Sequence, residues 1–379
     1  MNKVSPWIWL KKNLFSTWYN AVLTLISLLF IYWIGLAFIE WALTLAQWRV
    51  IEANLKLLFV GYYPQELLWL TWTTLGAIVG LGGFSWGILS SYSSLLKRKS
   101  LVILGIICAV FISVAFSVDR SNYILLSLPV ILVAGYFLGK QLKRLFPELK
   151  SWLALIWLLS FFVLLWFLLE PIGIDRLSGL LLTISVALIS ILLCFPFGVL
   201  LALGRQSDLP AIRWLSVAYI EIIRGLPLIG ILFMTQVMLP LVLPSNLQLS
   251  QVITAIAGFT LFTGAYVAEN VRGGLQSIPR GQTEAAKALG LSPPFVIVLI
   301  ILPQALRAVI PSLVGQFISL FKDTSLMAIV GLVDLLGISQ SILANPKYLG
   351  RSAELYLFLG LIYWVCCYSM SIASRRLEK

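Results

Sequence analysis

The chain has 379 residues, 60% of them hydrophobic and only 11% charged, with a mean hydropathy of +0.99; a soluble domain of this length carries roughly a quarter charged residues. Apolar runs near 20 residues recur, the length that crosses a hydrocarbon core of about 30 Å, and the alternation of a transmembrane β-barrel is absent from the sequence. The formal charge of +12 lies in short loops at alternate span ends, so it reports membrane orientation and excludes a nucleic-acid partner.

Ten spans are predicted, near 20–40, 67–90, 101–118, 122–139, 152–169, 178–203, 213–240, 251–271, 295–320 and 353–373. The first follows Lys11 and Lys12 but is long for a signal peptide, and no small-residue cleavage site follows, which favours a retained span. An N-terminus in the cytoplasm puts eighteen basic residues inside and six outside, the six being Arg49, Lys56, Arg120, Arg176, Lys347 and Arg351. Both termini are then cytoplasmic. Residues 1–170 are rich in Leu, Trp and Phe with few ionisable groups in their spans, whereas residues 171–379 carry nearly all the intramembrane charges. Such charges are costly in lipid and point to function.

There is no histidine, which removes the commonest metal ligand and general base. Cys108, Cys194, Cys366 and Cys367 sit inside apolar runs without metal or disulfide spacing and read as packing residues. The lack of paired catalytic carboxylates also argues against a membrane enzyme.

In the seventh span Glu221 and Arg224 are three apart, ahead of Gly225-Leu226-Pro227. Proline frees a carbonyl and kinks a helix, so the group is either a gating element or an ion pair at a kink. In the eighth, Thr263 and Tyr266 share a helical face, and Glu269 and Arg272 most simply form an intrahelical salt bridge. A short polar stretch follows. Thr283 can act as an N-cap with Glu284 beside the positive end of the helix dipole. Ala285, Ala286, Ala288 and Leu289 favour helix, and Gly290 supplies a left-handed end. Ser292, Pro293 and Pro294 start a fresh helix. This predicts a two-turn cytoplasmic helix with an alanine face, either an ordinary loop helix or one built to dock into a partner. After the ninth span, Lys322, Asp323, Thr324 and Ser325 precede "LMAIVGLVDLLGISQ", which is short and glycine-interrupted like a re-entrant segment.

The stretch "EAAKALGLSPPFVIVLIILPQAL" (284–306) resembles the EAA loop of ABC-transporter permeases. "EIIRGLPLIGILF" (221–233), "GAYVAENVRGGLQSIPRGQTEAAKALG" (264–290) and "GQFISLFKDTSLMAIVGLVDL" (315–335) are similar to the amino-acid subfamily of these permeases, which serves polar amino acids. "WLKKNLFSTWYNAVLTL" and "VGYYPQELLW" are similar to its longer general and neutral L-amino-acid members. The resemblance implies an all-α polytopic protein with a five-span type I importer core over residues 171–379, a coupling loop at about 272–294, and accessory spans in residues 1–170. It implies a second, related permease chain, two ATP-binding subunits, an extracytoplasmic amino-acid-binding protein and a place in the bacterial inner membrane. Glu284, Ala285, Ala286, Leu289 and Gly290 become the coupling helix that sits in a cleft of the ATP-binding subunit. No Gly-x-x-x-x-Gly-Lys-Ser/Thr loop occurs, so this chain binds no cofactor and ATP-Mg belongs to the partner.

A zwitterionic substrate needs groups for an ammonium and a carboxylate. Asp323 suits the first, with Thr324, Ser325 and backbone N–H groups for the second and Thr263 and Tyr266 lining the route. The alternative for Asp323 is a Lys322–Asp323 pair snorkelling at the interface. Glu221, Arg224, Pro227, Glu269 and Arg272 are the structural or gating set. Phe262 stands where related permeases often carry Asn, which favours neutral substrates. An ion-coupled secondary transporter would also explain spans and charges, but it leaves the EAA loop idle.

Overall fold

The structure, a computed structural model, describes residues 6–89, 123–244 and 249–377; the span expected at 101–118 lies outside them. A bilayer leaves no water to satisfy backbone N–H and C=O groups, so spans must be helices or closed barrels. Helices account for the fold, and among the described residues sheet pairing is limited to one isolated bridge between Gly179 and Asp334.

In chain order the helices are α1 (Pro6–Asn13), α2 (Trp18–Glu40), α3 (Arg49–Val60), α4 (Leu68–Leu89), α5 (Tyr123–Leu145), α6 (Leu149–Leu169) and α7 (Gly179–Arg205). They continue as α8 (Pro210–Gly225), α9 (Leu228–Phe233), α10 (Gln251–Ser277), α11 (Arg280–Ala288), α12 (Leu302–Asp323), α13 (Leu335–Leu343) and α14 (Ser352–Leu377). Among the described residues seven helical stretches are long and apolar enough to span, and an eighth if one bent pair is counted. The stretch expected near 122–139 is helical, as α5, without being one of these. The bent pair corrects the single span expected at 213–240. Pro210–Gly225 and Leu228–Val242 meet at 109°. Pro227, with φ −69° and ψ 139°, is extended and starts a new helix; it has no N–H to continue the old one.

Two buried clusters hold the bundle. One gathers Leu182 and Val186 of α7, Phe259 of α10, Leu335 and Ile338 of α13 and Leu355 of α14 around Val50, Leu55 and Leu58 of α3. Hydrogen bonds reinforce that junction. The Tyr62 N–H donates to Ser178 Oγ at 2.7 Å, the Tyr63 hydroxyl to the Leu168 carbonyl at 3.1 Å, and the Gln47 N–H to the buried Glu354 carboxylate at 3.0 Å. The other cluster joins Cys194 and Ala202 of α7, Ile220 of α8, Val267 and Val271 of α10, and Ala305 and Leu313 of α12.

Helices α4 and α5 approach closely through glycines. A Cβ built on Gly83 would lie 2.2 Å from the Leu132 carbonyl oxygen, and one on Gly135 would lie 2.3 Å from that of Gly80. Lipid supplies no hydrophobic drive between helices, so association rests on such close van der Waals packing between small residues. Gly83→Val must force the backbones apart, at a cost of about 1–3 kcal/mol. It is expected to lower the unfolding midpoint of the detergent-solubilised chain by several degrees. Gly82→Val, with nothing within 4 Å of its Cβ, is the control, and equal midpoints would contradict the packing.

Candidate functional site

α10 ends at Ile278 in extended backbone, and Pro279 (φ −60°, ψ 137°) sets the start of α11. The expected N-cap at Thr283 is therefore corrected. Thr283 and Glu284 lie inside a helix that begins at Arg280, because Pro279 already fixes the entry. The other end forms as expected. Gly290 has φ +81°, the Leu291 N–H donates to the Ala286 carbonyl at 3.2 Å, and the Gly290 N–H donates to that of Lys287 at 2.9 Å. These two bonds satisfy carbonyls that the helix end leaves free. No atom crowds Gly290, so only its backbone angle demands glycine.

Ala286 is buried, while Glu284, Ala285 and Leu289 face outward, Leu289 being 83% exposed. The buried side of α11 rests on the π-helical turn Val296–Ile301 that leads into α12. Gln304 of α12 donates from Nε2 to Gln282 of α11 at 3.2 Å. A short helix is thus tied to α10 through the chain and to α12 by contact, with its other face left free.

On α10, roughly two turns before that helix ends, lies a knot of charge. The Glu269 carboxylate on α10, 24% exposed, pairs with Arg272 one turn on, with Arg205 of α7 at 3.4 Å and with Arg224 of α8 at 3.6 Å. Arg205 also pairs with Glu221 at 3.0 Å. The expected Glu269–Arg272 bridge is present. Glu221 and Arg224, although three apart, each pair with a different helix, and no bridge joins them among the described residues. Both charges lie in the last turns of α8, ahead of the break at Pro227. Arg205, read from sequence only as a topology marker, links the two carboxylates.

The candidate substrate residues fall into two separate places. Thr263 is 2% exposed and sealed inside the bundle. Tyr266 is half-buried, with its ring 5.0 Å from that of Phe262 and 5.6 Å from the Arg224 guanidinium. The two do not share an open face. Asp323 is the last residue of the 22-residue α12, about 33 Å along the helix from the α11 end. Thr324 donates its hydroxyl to the Phe321 carbonyl at 2.6 Å, and Ser325 donates to that of Lys322 at 2.9 Å. Thr324 is fully buried, whereas Ser325 is partly exposed. Lys322 and Asp323 form no ion pair among the described residues. A further carboxylate, Asp334, is completely buried at the N-terminus of α13. Its signal was a lone acid in an apolar run, three residues before Gly337. Among the described residues no group of three or more His, Cys, Asp or Glu is placed to hold a metal.

Fold and site together define a polytopic helical membrane subunit with one short helix left open beyond the bundle. Residues 194–379 match the family described as the binding-protein-dependent transport system inner membrane component. The chain is 37% identical to the inner membrane amino-acid ABC transporter permease protein YhdY of Escherichia coli (strain K12), over 100% of this chain and 94% of that one. It is 34% identical to the glutamate/glutamine/aspartate/asparagine transport system permease protein BztC of Rhodobacter capsulatus, over 98% and 92%. It is 40% identical to the probable glutamine ABC transporter permease protein GlnP of Bacillus subtilis, over 53% of this chain and 91% of that one. The chain belongs to the amino-acid ABC transporter permeases. It is a multi-pass inner-membrane permease subunit of an importer and is not itself the ATPase.

Replacing Glu269 by Gln leaves three arginines facing one another with no shared counter-charge. Removing one partner of a buried pair costs about 3–5 kcal/mol, and partial exposure reduces that to about 2 kcal/mol. Glu269→Gln is expected to lower the unfolding midpoint measurably. Glu221→Gln, at a side chain 55% exposed, should cost less than about 0.5 kcal/mol of stability and barely move the midpoint. Indistinguishable variants would remove Glu269 as the centre of the cluster.

Proposed function

We propose that this chain forms half of the membrane route for a broad range of L-amino acids, neutral ones among them, and that α11 is the helix through which a separate ATP-binding subunit drives it. The observation that carries this reading is the exposed face of α11. Its residues Glu284, Ala285 and Leu289 are free, its end is fixed by Gly290, and its roots are in α10 and α12. A docking cleft that closes on ATP would pull α11. That pull passes through Ile278–Pro279 into α10 and through Gln282–Gln304 into α12, switching the bundle between two packed arrangements. The Glu269 cluster stands at the same end, where one carboxylate can exchange arginines from α7 and α8 as the helices move.

The core of five spans occupies residues 171–379 in this reading, with residues 1–170 accessory and both termini cytoplasmic in a bacterial inner membrane. A related permease chain, two ATP-binding subunits and an extracytoplasmic amino-acid-binding protein complete the importer. Breadth of substrate is supported by the name of BztC, which covers acids and their amides, and neutrality by Phe262 in place of a polar residue. Asp323 takes the substrate ammonium, with the lone pairs of Ser325 beside it, while Thr324 is fully buried.

Gly290→Val forces a β-branched residue to φ +81°, a region such residues avoid. It is expected to abolish copurification of the ATP-binding subunit while the chain still inserts. If the ATPase stays bound, docking through α11 fails. Asp323→Asn is expected to cut uptake at least tenfold while basal ATPase activity of the complex persists, and normal uptake would remove Asp323 from the route. The rival reading, an ion-coupled transporter, requires transport in liposomes from the chain alone under an ion gradient.

A further inference from the structure

Where α7, α13 and α14 meet, a group of oxygen-bearing side chains is shut away from solvent. Asp334 is 0% exposed, and its Oδ1 accepts the Gly337 N–H at 2.9 Å as the cap of α13. The Gly179 N–H donates to the Val333 carbonyl at 2.9 Å and holds that strand-like segment to α7. Thr183 of α7, also fully buried, donates to the Gly179 carbonyl at 3.1 Å and accepts the Leu335 N–H at 3.2 Å. Thr324 donates to the Phe321 carbonyl. Tyr363 of α14 lies among Asp334, Thr183 and Thr324. Two atoms here are buried without a hydrogen-bond partner: Asp334 Oδ2 and the Tyr363 hydroxyl.

The donor count is lopsided. Both threonine hydrogens are committed to backbone carbonyls, so the Tyr363 hydrogen is the one side-chain donor left for the lone pairs of Oδ2 and the two threonine oxygens. A bare carboxylate oxygen in such a place is strongly disfavoured unless it gains a hydrogen or a cation. We propose that Asp334 is a proton-binding site: as the neutral acid it carries a hydrogen on Oδ2, directs it into the Thr183–Thr324–Tyr363 oxygens, and so pins α13 to α7 and α14. On deprotonation the proton passes to water, the carboxylate keeps only the Tyr363 hydrogen as a side-chain donor against two threonine oxygens, and the pin loosens. This reading does not depend on the substrate or on α11.

The surroundings agree. Asp334 lies between the spans of α12 and α14, and burial pushes its carboxyl from 3.8 up to about 7, opposed in part by backbone N–H groups of Gly337, Leu336 and Asp334 itself. Tyr363 faces it from α14 with Cys366 beside it, and Glu354, buried in the first turn of that helix, is paired with Arg351 at 3.6 Å. α7 and the turn Thr324–Ala328 present the two threonines. α3 sends Leu55 and Leu58 inward, with Arg49 and Glu52 exposed and Lys56 half-exposed, and Lys347 in the turn Pro346–Tyr348 is exposed. A carboxyl raised in the folded state binds its proton more tightly there than in the unfolded chain. Its stabilising contribution is full below 3.8 and is lost as pH climbs to about 7.

Infrared spectroscopy of the full-length chain in lipid tests this directly. The carbonyl stretch of a buried carboxylic acid is expected at pH 5 and should disappear by pH 9. It should be lost in Asp334→Asn and shifted in Tyr363→Phe. Asp334→Asn, whose amide supplies a hydrogen at all pH values, should also flatten the fall in unfolding midpoint between those pH values. The proposal is overturned if no protonated-acid band at pH 5 responds to either variant, or if Asp334→Asn keeps the wild-type pH dependence. It is equally overturned if the site is ionised and stabilised by sodium but not by choline. Should Asp334→Asn fail to fold, the response of the band to Tyr363→Phe decides.

Discussion

One carboxylate, Glu269, stands between Arg205, Arg224 and Arg272, which come from three helices. Each arginine alone would be expensive near lipid, and gathered without Glu269 they would repel. The pairing therefore decides which ends of α7, α8 and α10 lie together, and with them where α11 emerges.

The opposite end of the bundle is organised by a different balance. There the chain leaves regular helix between Thr324 and Asp334, and irregular backbone is tolerated only where its polar groups find partners inside the protein. Thr183 serves two backbone groups at once, Asp334 caps α13, and Gly179 bonds to Val333. The first half of the chain reaches this end too, through α3 and through the bond from Gln47 to Glu354. The two ends thus differ in kind, with exchangeable ion pairs near α11 and fixed, buried hydrogen bonds beyond Asp323.

Much of this was legible in the residues. Apolar runs of spanning length predicted most spans, and the Gly290 end of α11 was readable because a positive φ admits few alternatives. Its start was not, because Thr283 is a good local cap that Pro279, four residues earlier, makes redundant. Spacing of three suggested that Glu221 pairs with Arg224, yet tertiary partners on α7 and α10 took both. Thr263 and Tyr266 shared a predicted face, but the packing of α10 buries one and pairs the other with Arg224. Asp334 carried a faint signal, since a single acid among Leu and Val does not say which helices will enclose it. The glycines of α4 and α5 were scattered through apolar runs, and only the packed helices reveal their register.

The central claim is that the exposed face of α11 belongs to an ATP-binding partner. Photo-crosslinking from a reactive amino acid placed at Leu289, in membranes holding the assembled complex, tests it most directly. The account predicts a crosslink to the ATP-binding subunit that changes in yield when ATP is trapped, with no such product from the same probe at exposed Ser341 on α13. A Leu289 probe that reacts only with lipid or with this chain, whatever the nucleotide, would contradict it.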